Sequence, residues 1–72
     1  MRAMNRVAVS SSSVASIGYD PVAAVLEIEF QNGRIYRYLH VPPQAHRLLL
    51  QADSIGEFFN RVIKPRFEAV SV

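Results

Sequence analysis

The chain has 72 residues, half of them hydrophobic and 19% charged, with a net charge of +2; this is the composition of one small folded domain that buries about 60% of its unfolded surface. Cysteine is absent, which excludes disulfide scaffolds, thiol catalysis and cysteine-based zinc sites, and suits a reducing cytoplasm. Apolar runs such as residues 22–26 fall far short of the about 20 needed to span a bilayer, so no membrane partner is expected.

Residues 1–6 are predicted to be disordered or frayed and 7–72 to form a single domain, with Met4 competing with Met1 as the native start. The "VAV" behind the first arginines is too short for a signal peptide. "VAVSSSSVAS" reads as one extended segment, because the serines are flanked by Val7, Val9, Val14 and Ile17. "GYDPV" is a turn: Pro21 fixes its own φ and keeps Asp20 out of the helical region. In "VLEIEF", Leu26, Ile28 and Phe30 share one face of a strand while Glu27 and Glu29 take the other.

The register of the next strand depends on the loop. A two-residue Asn32-Gly33 turn sets Ile28 opposite Arg37 and puts an arginine among core residues. A three-residue loop of Gln31, Asn32 and Gly33, with Gly33 left-handed in a bulge, sets Ile28 opposite Tyr36, Leu26 opposite Tyr38 and Glu27 opposite Arg37. A one-residue slip exchanges the faces, so the charge pattern selects the bulged form. The hairpin is therefore predicted over 24–30 and 34–40, with Tyr36 and Tyr38 turned toward the core. An exposed platform on which the two rings stack with nucleotide bases is the alternative.

"VPPQAHRLLLQA" opens with prolines suited to a helix start and repeats Ala45, Leu48, Leu49 and Ala52 on one face. "DSIGEFFNRVIKP" has a capping box from Ser54 to Glu57 and a stripe of Ile55, Phe58, Phe59, Val62 and Ile63, with Pro65 marking its end. The expected fold is α+β: an antiparallel sheet of about three strands followed by two helices packed on one face.

Little in the chain suggests catalysis. His40 and His46 lie in different elements without a third ligand, so no metal is expected; no nucleophile context surrounds the serines, and no cofactor motif is present. Seven of the eight basic residues are arginine, which suits planar contacts to phosphate or carboxylate. Arg61, Lys64 and Arg66 form a cluster that either caps a helix C-terminus, where cations are favoured, or contacts phosphates. Arg34 at the hairpin tip and Arg47 on the first helix extend it if the fold brings them round. Val25, Ile35 and Leu39, on the outward side of the hairpin, mark a second candidate surface, for a homodimer or a protein partner.

Taken together, "VSSSSVASIGYD", "LEIEFQNGRIYRYLHVP" and "ADSIGEFFNRVIKPRF" resemble the KTSC domain, a short bacterial module found alone or at the C-terminus of some lysyl-tRNA synthetases. The resemblance runs from about Val9 to Phe67. It is carried by Ile17-Gly18-Tyr19-Asp20, by Tyr36, Tyr38 and Val41-Pro42, and by Ser54, Gly56, Phe58 and Asn60. Phe67 departs from it, since tyrosine is expected there. The resemblance implies a β-then-α module with no catalytic residue to carry over, and its synthetase company suggests RNA. The expectation is a non-catalytic nucleic-acid-binding domain using Arg61, Lys64 and Arg66, with Arg34, Arg37, Tyr36 and Tyr38 as further contacts; the alternative is the interaction face at Val25, Ile35 and Leu39.

Overall fold

The structure, a computed structural model, describes residues 4–72. Of the segment expected to fray, residues 1–3 lie outside the described residues, and Arg6 opens the first strand.

Five antiparallel strands form a meander in chain order: β1 (Arg6–Ala8), β2 (Val14–Asp20), β3 (Val25–Phe30), β4 (Ile35–Tyr38) and β5 (Ala69–Ser71). The expectation of about three strands is corrected at both ends. The serine run does not continue one extended segment; it turns the chain between β1 and β2, with the Ser11 Oγ accepting from the Ser13 and Val14 N–H groups. After the helices, residues 69–71 return to pair with β4, so the helices lie between the fourth and fifth strands.

The β3–β4 register is the bulged one. Leu26 pairs with Tyr38, Glu27 with Arg37 and Ile28 with Tyr36. Gly33 has φ +88°, a region costly for a residue with a Cβ, and the Phe30 N–H closes the loop on the Arg34 carbonyl at 2.9 Å.

Two helices cover one face. The first, α1 (Pro43–Gln51), starts on Pro42-Pro43 and buries only Leu49; Leu48, expected on the packed side, is 47% exposed. The second spans residues 55–66 in three parts: α2 (Ile55–Phe58), a π-helical turn (Phe59–Ile63) and α3 (Lys64–Arg66). Ser54 caps it by accepting from the Glu57 N–H at 3.2 Å. Pro65 accounts for the wide turn: it has no N–H, and its ring would clash with the carbonyl four residues back. The helix ends one residue beyond it. Val14, Ile17, Leu26, Ile28 and Tyr38 of the sheet meet Leu49, Phe59 and Ile63 in one core, where each fully buried apolar side chain contributes about 1.5–3 kcal/mol. No helix among the described residues is long and apolar enough to cross a membrane.

Candidate nucleic-acid interface

The alternation of β3 and β4 gives the sheet two unlike faces. On the helix side, Phe30 is the hub of an edge-to-face aromatic cluster, with ring centroids 6.0 Å from Tyr36 and 5.3 Å from Phe59; Tyr38 stands 5.4 Å from Phe59. The helices do not fully close over this cluster. A groove of about 410 Å³ remains between the hairpin and the second helix, with the four rings, Ser13, Asn32 and Asn60 along it and Arg34 and Lys64 as its charged groups. No acidic residue lines it.

Local structure fixes these positions. The Asn32 Oδ1 accepts from the Arg34 N–H at 2.9 Å, holding Arg34 where the bulged loop delivers it. The π turn buries Phe59 and Ile63 and sets Asn60 and Lys64, four residues apart, along the groove; such turns recur at functional sites. Tyr38 is only 5% exposed. Burial, and then the neighbouring Tyr36 phenol, hold its pKa above the usual tyrosine value, so its hydroxyl stays protonated. Among the described residues neither tyrosine hydroxyl has a protein hydrogen-bond partner, and neither is a sealed-off polar atom.

A second groove runs beside the first, between the serine turn (residues 10–13) and the start of the second helix; Ser13 and Asn60 line both. Its charged groups are Asp53, Glu57 and Arg61, and Arg61 is paired with Glu57 at 3.2 Å. It is therefore less favourable to an anion than the aromatic groove.

The outer face is built differently. One cross-strand row runs Arg6, Gly18, Glu27, Arg37, Val70. Gly18 leaves room for Arg6 to cross: a Cβ there would lie 3.0 Å from the Arg6 Cγ. The Arg6 guanidinium thus reaches the Glu27 carboxylate, which also accepts from the Arg37 Nε at 2.7 Å. Glu27 is buried, with 2% of its surface exposed. Burial pushes its pKa up, but the hydrogen bonds and charges of Arg37 and Arg6 outweigh that and hold it below the usual carboxylate value.

The structure therefore divides the residues singled out in the sequence. Arg34, Tyr36, Tyr38 and Lys64 meet at one groove, Arg61 lies in the next, and Arg66 is exposed in the last helical turn. Arg37 lies on the opposite face. Of the outward apolar set, Val25 is buried at 4% exposure and Ile35 and Leu39 are half-buried. The groove-lining Phe30, Phe59, Asn32 and Ser13 were not singled out as site residues. Phe30 and Phe59 read as core from their periodicity, and nothing in the sequence shows that the helix layer stops short of them.

A five-stranded antiparallel meander with helices on one face and an aromatic-floored cleft at its margin defines a compact α+β module. The family model of the KTSC domain matches residues 10–67, and the chain belongs to that family. It is 54% identical over 63 residues to an uncharacterized protein of Stutzerimonas stutzeri, covering 88% of this chain and 89% of that one. A crystal structure of a KTSC domain protein from Yersinia pestis superposes with a TM-score of 0.91 at 48% identity, over 97% of this chain and 99% of that one. A lysine–tRNA ligase of Nostoc punctiforme is 37% identical over 57 residues, which are 79% of this chain and 10% of that protein.

Proposed function

We propose that the chain is a non-catalytic, single-domain module over residues 7–72 that binds RNA, in single-stranded form, through its backbone phosphates. The observation that carries this reading is the pairing of Arg34 and Lys64 at a groove with no acidic lining. Arg61, across the Asn60 ridge, and Arg66, at the helix end, extend the positive track; Arg37 is left to the outer face. The similarity of a tenth of a lysine–tRNA ligase to this chain adds company of the right kind.

Binding of this kind lies at about 10⁻⁴ to 10⁻⁶ M and weakens steeply with salt, by about 0.7 in the log–log slope for each phosphate neutralised on a single strand. Titration with a short single-stranded RNA of mixed sequence across a salt series is the test. Lys64→Ala and Arg61→Ala are each expected to flatten the slope by about 0.7. Absence of binding at about 50 mM salt contradicts the proposal.

Self-association through the outer face is the second reading, favoured by the exposure of Val70, on the strand beside β4, and of Val72, just beyond it, whose N–H donates to the Ile35 carbonyl. A sedimentation mass that rises with concentration and falls back in Leu39→Glu supports it, and a monomer at high concentration rules it out.

A further inference from the structure

Phosphate contacts account for the charges at the groove but not for its interior. Tyr38 is only 5% exposed and lines the groove, while its hydroxyl, which has no protein partner among the described residues, is not sealed from solvent. A tyrosine hydroxyl both donates and accepts, so one without a protein partner, on a ring that lines a groove, is available to a ligand atom in place of water. Tyr36 and Asn60, whose side-chain hydroxyl and amide make no hydrogen bond among the described residues, line the same space. Hydrogen-bonding groups therefore converge over an aromatic floor, between two cations. At about 410 Å³ the groove falls within the roughly 300–1,000 Å³ usual for small-ligand sites.

We propose that this groove takes one unpaired base of the RNA strand, whose ring meets the aromatic floor at Tyr36 and Phe30 and whose edge hydrogen-bonds to Tyr36, Tyr38 and Asn60, while Arg34 and Lys64 hold the flanking phosphates. The inference rests on the RNA-binding reading above and adds to it a requirement for the base. Unpaired bases are recognised through such a combination of aromatic contact and edge hydrogen bonds. A small anion alone would use the cations and leave the rings and the amide idle.

The test compares a short single-stranded RNA with an abasic phosphodiester strand of the same length and charge, at low salt, and follows the ring resonances of Tyr36 and Tyr38. The base-bearing strand is expected to bind about tenfold tighter or more and to shift both rings. Asn60→Ala and Tyr36→Phe, changes at an exposed amide and of a single hydroxyl, are expected to keep the fold and to weaken the base-bearing strand alone. Equal affinity for the two strands, unchanged by either variant, overturns the base pocket while leaving phosphate binding standing. If neither strand binds, both proposals fall. A mononucleotide that binds as tightly as the strand assigns the groove to a free nucleotide and overturns the claim for a base within a chain.

Discussion

On the outer face of the sheet Arg6 and Arg37 close on the buried carboxylate of Glu27; on the helix-covered face Arg34 and Lys64 stand at a groove with no acidic lining. The sequence presents these cations alike, in a chain of modest net charge, but the fold gives them different partners. Glu27 is central in its row, with no side chain on the Gly18 side, so it can be buried only if both arginines reach it. A buried charge without a partner costs several kcal/mol. Arg34, held at the loop exit, and Lys64, beyond the wide helical turn, face aromatic rings instead of carboxylates. An arginine count is therefore a poor guide to ligand affinity until each guanidinium has been assigned a partner.

The contrast is broken most severely from the outer face. Arg37→Ala leaves Glu27 to Arg6 alone and is expected to cost about 3 kcal/mol, the low end for breaking a buried pair because one arginine remains. A domain of this length has only about 4–11 kcal/mol in hand, so urea denaturation shows the loss plainly. RNA affinity per folded molecule stays unchanged.

The same cluster gives stability a pH dependence. The folded pKa of Glu27 is depressed, so its contribution is present in full above the ordinary value of 4.5 and is lost as pH falls through the folded value. The His46 ring stacks on Tyr19 with centroids 4.6 Å apart. Burial, and then the charge of Arg47, lower its pKa, so its share is lost earlier, as pH falls below 6.5. Denaturation across pH should show both steps, with the more acidic one absent in Glu27→Gln.

The smallest stability effects belong to the groove. Arg34→Ala and Lys64→Ala are expected to stay within about 0.5 kcal/mol of the parent, as exposed residues do, while the double variant loses most RNA binding at low salt. A double variant that unfolds instead erases the distinction between the faces.

Much of this was legible in the chain. The alternation of Leu26, Ile28 and Phe30 with Glu27 and Glu29, together with the glycine loop, was enough to derive the hairpin register, the inward tyrosines and the Glu27–Arg37 pair, because one face must be apolar and Gly33 permits the bulge. The Ser54 cap and the Phe59–Ile63 stripe were equally readable. The fifth strand was not: Ala69–Ser71 is short, exposed and without alternation, and only the open edge of β4 makes it a strand. The serine turn hid because valines flank it on both sides. Left-handed backbone at Ala24 and His40, with φ 58° and 59°, carries no glycine or asparagine to announce it. The site was half visible. Arg34, Lys64 and the two tyrosines were named from the sequence, but their meeting at one groove depends on where the helices stop, and that is a property of the packed layers.

The division of labour between the faces is tested most directly by an amide and tyrosine-ring titration with short single-stranded RNA at about 50 mM salt. The account predicts shifts at Arg34, Tyr36, Asn60 and Lys64, and quiet signals at Gly18, Glu27 and Arg37. A spectrum that does not move, or one whose largest changes fall on the Glu27 row, contradicts it.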